Sequence, residues 1–181
     1  MSQAMRVLTS QATTEWYTPP AIIALVRDVL GQIDLDPASH DVPQQWIKAQ
    51  VRYTIADDGL TRPWQGRVFL NPPFDAAPRW LEKLYAERTH RPCLSAVVLV
   101  NSAPGYKWWE QLLDTACLSV LLRERLAFVR ADGTSAGRAK KGQTIALMAP
   151  AGCYTRRFCQ VFRHLGRFVP GLAAAALEVT P

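Results

Sequence analysis

The chain has 181 residues, 49% of them hydrophobic, enough for one domain with a substantial core and too few for two of ordinary size. A formal net charge of +6 favours a polyanionic partner, while Cys93, Cys117, Cys153 and Cys159 contain no C-x-x-C pair, which argues against a zinc site or a disulfide framework. The first residues lack an apolar leader, and the longest apolar runs fall far short of the roughly 20 residues that a membrane helix needs, so a cytoplasmic protein, of host or bacterial cytoplasm, with no membrane partner is expected.

Pro19-Pro20 opens a helix in which Ile22, Ile23, Val26, Val29 and Leu30 recur at helical spacing, and Gly31 closes it. Residues 33–35 read as a short buried strand running into Asp36-Pro37, 51–55 as a second and 68–70 as a third. A helix over 77–88 follows, with Trp80, Leu81, Leu84 and Tyr85 on its inner face. Residues 95–100 form an uninterrupted apolar run of the kind that suits a parallel sheet covered on both faces. A helix over 108–113 and strands over 118–122 and 144–148 complete the pattern. A last helix carries Arg156, Arg157, Arg163 and Arg167, with Phe158, Val161, Phe162 and Leu165 on its packed side. Alternation of this kind argues for an open α/β sheet, whose ligands sit outside the carboxyl ends of the strands. Asp36 and Asn71 both fall at such ends. The expected organisation is an N-terminal extension over 1–14, one domain over 15–168, and a C-terminal tail over 169–181 that includes an alanine-rich stretch.

The strand over 68–70 delivers Asn71-Pro72-Pro73-Phe74. Two consecutive prolines fix φ near −65° and remove two backbone donors, so the carbonyls of Asn71 and Pro72 meet no N–H from the motif itself. With the Asn71 side-chain oxygen as a further acceptor and the Phe74 ring as a stacking face, the cluster can grip an exocyclic amino group on a flat heterocycle. Methyl transfer to a base nitrogen is the leading reading; Asn-Pro and Pro-Pro also serve as ordinary turn punctuation.

The segment 123–143 is polar, glycine-bearing and basic. Arg123, Arg125, Arg138, Lys140 and Lys141 are its candidates for DNA contact, because flexible cationic loops can follow phosphates; a charge run also serves as a plain solvated face. His40, His90 and His164 stand in no catalytic spacing, and no metal site is expected.

Glu15-Trp16-Tyr17-Thr18-Pro19-Pro20, Leu35-Asp36-Pro37-Ala38-Ser39, Asp57-Asp58-Gly59-Leu60, Trp64, the run from Val68 through Asn71-Pro72-Pro73-Phe74, and Trp80, in that order, closely resemble the phage-type DNA N6-adenine methyltransferase family, a Dam-like group. Arg123-Glu124-Arg125-Leu126-Ala127-Phe128 looks like the family's later G-R-L-x-F block, with Glu124 where glycine is usual. The resemblance covers about residues 15–148. It implies a single-domain, Rossmann-like methyltransferase fold with a mostly parallel central sheet flanked by helices, and S-adenosyl-L-methionine-dependent methylation of the adenine N6 amino group in DNA.

It also implies roles. Asn71, Pro72, Pro73 and Phe74 form the catalytic set, with the Asn71 side chain and the Pro72 carbonyl accepting the amino hydrogens and Phe74 stacking on a base flipped out of the duplex. Asp36 is expected at the methionyl ammonium, and Asp58 at the cofactor's adenosine N6, with Asp57 as the alternative or as a turn cap. Trp16, Tyr17, Thr18 and Pro19 are expected to close over the cofactor, although Trp16 and Tyr17 also fit a hydrophobic staple and Thr18 an N-cap. Ala38 stands in the turn Pro37-Ala38-Ser39-His40, which replaces a glycine-rich loop, and Asn71 also borders the cofactor. Similar motifs serve enzymes that methylate RNA bases or a protein glutamine amide, and a non-catalytic DNA- or cofactor-binding module has the same appearance. Target sequence, oligomeric state and biological role, restriction-modification or another, stay open.

Overall fold

The computed structural model describes residues 17–130 and 132–172. Helix α1 (Pro20–Leu30) leads into β1 (Leu35–Asp36), the short α2 (Gln44–Ile47), β2 (Val51–Arg52) and β3 (Arg67–Leu70). Then come α3 (Ala77–His90), β4 (Ser95–Asn101), α4 (Lys107–Thr115), β5 (Leu118–Leu122), the small strands β6 (Ala127–Val129) and β7 (Ser135–Arg138), β8 (Gln143–Met148), α5 (Thr155–Phe162) and β9 (Gly166–Pro170). α1 begins where Pro20 supplies a helical φ without a wasted donor and ends where Gly31, at φ 81°, hands its N–H to the Arg27 carbonyl.

The main sheet has the order β2-β1-β3-β4-β8-β5-β9. From β2 to β4 every pairing is parallel, and from β4 to β9 every pairing is antiparallel. The sheet is thus mixed where a mostly parallel one was expected. The cause lies in the connection from β5 to β8, which contains no crossover helix and therefore returns the chain alongside itself in the opposite sense. That connection is no loop either: β6 and β7 pair as a separate antiparallel hairpin.

Side chains alternate across the sheet and define two cores. Phe69, Val97, Leu99, Val120, Ile145 and Leu147 face α1 and α5, whereas Val68, Leu70, Ala96, Val98, Val100 and Ala146 face α3 and α4. The apolar stripe of α1, all five residues read from its spacing, is buried in the first core.

Among the boundaries that differ from the sequence reading, three change what the elements carry. β1 includes Asp36, so the carboxylate belongs to the strand and not to its exit turn. β2 stops at Arg52, and Ile55 is 99% exposed, because residues 54–57 close on themselves: the Asp57 carboxylate accepts from Thr54 N at 2.8 Å and Thr54 Oγ1 at 2.9 Å. The last helix ends at Phe162, which leaves Arg163, Leu165 and Arg167 outside it and puts the expected domain end at 168 inside β9. β9 reaches its place because Gly166 has no side chain; a Cβ there would lie 2.1 Å from the Leu121 carbonyl oxygen.

An ion pair ties β1 to β3 at their amino ends. The Asp34 carboxylate accepts from Arg67 N and Arg67 Nε, each at 2.8 Å, and the Arg67 hydrogen bonds are the largest influence holding its pKa below the usual carboxylate range. With Leu35 opposite Val68 in register, Asp36 falls opposite Phe69, and Asn71 follows two residues further along at the same end of the sheet. The N-terminal extension, Trp16 and the alanine-rich tail lie outside the described residues. Among those described, no helix is long and apolar enough to cross a membrane.

Candidate active site

A cleft of about 780 Å³ opens over the carboxyl ends of β1 and β3. Asn71-Pro72-Pro73-Phe74 forms one side, residues 36–41 the floor, residues 53–55 with Asp58 and Gly59 the far wall, and Tyr17-Thr18 the roof.

Asn71 is half-buried, and its Nδ2 donates to Thr18 Oγ1 at 3.0 Å. Its Oδ1 is buried and has no partner among the described residues. An acceptor in that condition costs about 1–3 kcal/mol until a donor arrives. Of the carbonyls that follow, Pro73 accepts from Ala76 N at 3.0 Å in the turn that starts α3, while the Pro72 carbonyl receives no hydrogen bond among the described residues. Two acceptors thus stand unpartnered on a backbone stiffened by proline. Phe74 is half-buried and meets the fully buried Phe128 edge-on, ring centroids 5.7 Å apart. Phe128 sits in β6, so the hairpin is seated beneath this turn. Val129, next to it, exchanges backbone hydrogen bonds with Tyr17 at 2.9 and 3.0 Å.

Asp36 is 3% exposed in the cleft floor. Burial pushes its pKa up to about 7, against hydrogen bonds from Ser39, Gln44 and the Ala38 backbone that favour the anion. Gln44 is the organiser: its Nε2 reaches Asp36 Oδ2 at 2.6 Å and Ser39 Oγ at 2.8 Å, and its Oε1 accepts from Ala49 N at 3.0 Å. Nothing in the sequence marks Gln44, because a lone glutamine on a one-turn helix carries no pattern. Tyr17 Oη and His40 Nδ1 share a hydrogen bond at 3.0 Å, which gives a histidine without an assigned role a place at the cleft rim.

The two neighbouring aspartates separate cleanly. Asp57 closes its own turn on Thr54 and does not line the cleft, whereas Asp58, at φ 52°, lines it while its Oδ1 accepts from Leu60 N at 3.3 Å. Gly59 lets this wall approach the floor, since a Cβ on it would fall 2.0 Å from the Pro37 carbonyl oxygen. Its own carbonyl accepts from Trp64 Nε1 at 2.7 Å, and Trp64 stacks on Trp80 beneath the wall.

Tyr17, Thr18, Asp36, Ala38, Asp58 and Asn71 through Phe74 therefore share one cleft. Pro19 does not line it; its carbonyl starts α1 by accepting from Ile22 N and Ile23 N. Arg123, Arg125, Arg138, Lys140 and Lys141 are all exposed, on or beside the hairpin, and none lines the cleft. Arg138 pairs with Glu124 at 3.3 Å across exposed surface. The hairpin's foot is fastened to the sheet by Leu126 N donating to Gln143 Oε1 at 2.8 Å and Ser102 N to the Gly142 carbonyl at 2.8 Å. Among the described residues, no three His, Cys, Asp or Glu side chains are grouped to hold a metal ion.

A cleft over strand ends, with unpartnered acceptors on one side and a buried carboxylate on its floor, lies where open α/β sheets take their ligands. A family model described as DNA N-6-adenine-methyltransferase (Dam) matches residues 7–164, and the chain belongs to that family. The family implies methylation of adenine N6 in DNA. A comparison with curated proteins gives no match.

Proposed function

We propose that this cleft carries out S-adenosylmethionine-dependent methyl transfer to the N6 amino group of an adenine flipped out of DNA, on a Rossmann-like sheet. The observation that carries the reading is the buried, unpartnered Asn71 Oδ1 beside the open Pro72 carbonyl. Adenine N6 is a weak nucleophile because its lone pair is delocalised into the ring. Two acceptors drawing on its two hydrogens return that pair to nitrogen and aim it. Phe74 lies against the base, and stacking worth roughly 1–3 kcal/mol offsets part of the cost of unpairing it.

The residues present suit the cofactor. When bound, it supplies an activated methyl group, so the protein needs no metal and no covalent intermediate, and its own contribution is positioning and electrostatics. Asp36, a carboxylate buried without a cation, is the partner for the methionyl ammonium, with Ala38 beside it. Asp58 on the far wall is the acceptor for the cofactor's adenine amino group, and Tyr17 with Thr18 closes the roof. Trp16 and Pro19 flank this roof in sequence. Arg123, Arg125, Arg138, Lys140 and Lys141 hold the phosphate backbone from the hairpin.

The test is incubation of the chain with methyl-labelled cofactor and, separately, DNA, RNA and protein. Label at adenine N6 in DNA is expected, and Asn71→Ala is expected to lower it by roughly 100-fold or more, the loss typical of a preorganised hydrogen-bonding group. Label only in RNA or protein, or equal activity of Asn71→Ala and wild type, refutes the proposal.

A further inference from the structure

Thr18 is only 2% exposed, yet its hydroxyl caps nothing. The N-cap of α1 is Pro19, with no side-chain cap hydrogen bond, so the capping role open to Thr18 in the sequence is not the one it takes. Its Oγ1 accepts instead from Asn71 Nδ2 at 3.0 Å, across 53 residues of chain. Thr18 is itself clamped on three sides. Tyr17 exchanges two backbone hydrogen bonds with Val129, Trp46 Nε1 donates to the Thr18 carbonyl at 2.9 Å, and the Pro19 ring fixes the next φ.

A carboxamide has a donor end and an acceptor end of nearly identical shape. Which end faces the cleft decides whether Asn71 accepts a hydrogen from an amino group or opposes it with hydrogens of its own. Thr18 takes up the donor end, and Oδ1 is left as the buried, unpartnered atom. We propose that Thr18 is a positioning residue: its clamped hydroxyl fixes the Asn71 carboxamide with Oδ1 as the free acceptor before the substrate arrives. The inference rests on the reading of Asn71 given under the proposed function. In that arrangement the reorientation of the amide is completed in the folded protein and need not accompany each turnover.

Thr18→Val keeps the shape and removes the acceptor; Thr18→Ser keeps the hydroxyl. Both are compared with wild type in steady-state methylation of an adenine-containing DNA duplex, with S-adenosylmethionine affinity measured by calorimetry. Thr18→Val should lower kcat roughly 10- to 100-fold, the scale of a misplaced reacting group, and leave the KM for DNA and the cofactor Kd within about threefold. Thr18→Ser should restore kcat to within about threefold of wild type. Should Thr18→Val not fold, Trp46→Phe removes the clamp on the Thr18 carbonyl and is expected to lower kcat with cofactor Kd unchanged. A wild-type kcat in the folded Thr18→Val protein, or in Trp46→Phe if that substitute is needed, overturns the inference. So does a weaker cofactor Kd with kcat intact, which would mean that the Thr18 hydroxyl serves the cofactor and not the Asn71 carboxamide. A wild-type chain inactive on DNA, RNA and protein removes the reading of the cleft and this inference with it, whereas an active wild type with an indifferent Thr18→Val removes this inference alone.

Discussion

The Asp36 carboxyl, with its pKa at about 7 against a reference of 3.8, makes the cofactor-free protein less stable as pH rises. Between those two values the folded state holds a proton that the unfolded chain has released, so stability falls with increasing pH across the window and levels off above about 7. A displacement of roughly three pH units corresponds to about 4 kcal/mol in total, of which about 2–3 kcal/mol is lost between pH 5 and pH 8. Burial is the cause, since the hydrogen bonds from Ser39, Gln44 and Ala38 act in the opposite direction. Asp36→Asn removes the titration and keeps the size. Any fixed offset from the amide's own hydrogen bonds is independent of pH and drops out of the comparison. Urea unfolding of wild type and Asp36→Asn at pH 5, 6, 7 and 8, without cofactor, reads the effect. The variant should gain on the wild type by about 2–3 kcal/mol from pH 5 to pH 8, a relative midpoint shift of roughly 1–2 M urea at ordinary slopes. The same substitution should abolish measurable cofactor binding, because a neutral amide offers an ammonium no countercharge. Parallel pH profiles for the two proteins would refute the argument that burial governs this carboxyl.

Two further outcomes follow from the same geometry. Replacing Lys140 and Lys141 by alanine should reduce the slope of log K against log salt for DNA binding by about two units, one for each phosphate that is no longer neutralised, and an unchanged slope would clear the hairpin of that role. Gly59→Ala places a methyl group 2.0 Å from the Pro37 carbonyl oxygen, between two backbone segments that adjoin in the lining of the cleft. It should cost about 1–3 kcal/mol in urea unfolding and weaken cofactor binding as Asp58 is displaced, and an unaltered midpoint would show that the wall yields freely.

Legibility in the sequence tracks how local the responsible physics is. α1, α3, β4, β5 and β8 are readable because burial against a sheet imposes a period on the side chains themselves. β9 reads as the end of a helix and the start of a tail because it is an edge strand held by backbone hydrogen bonds to β5, and of its residues only Gly166 is buried. The hairpin reads as a loop for a related reason: β6 and β7 are three and four residues long, Phe128 is their one buried member, and so few inward positions form no alternation.

The site divides along the same line. Asn71 through Phe74 announce an acceptor cluster because proline and asparagine act within four residues, and Asp57 can be told from Asp58 only as far as turn chemistry reaches. The interactions that give the cluster its orientation are of another kind. Thr18 meets Asn71 across 53 residues, Trp46 meets Thr18 across 28, and Gln44 meets Asp36 only because α2 folds back over the end of β1. Each is a hydrogen bond between common polar groups, with no spacing or composition that sets it apart. The order of strands creates these meetings, with β1 tied to β3 by Asp34 and Arg67 at one end and with Asp36 and Asn71 both at the other. A motif can thus name the reacting groups from the chain alone, while the protonation of the carboxylate and the facing of the amide belong to the folded sheet.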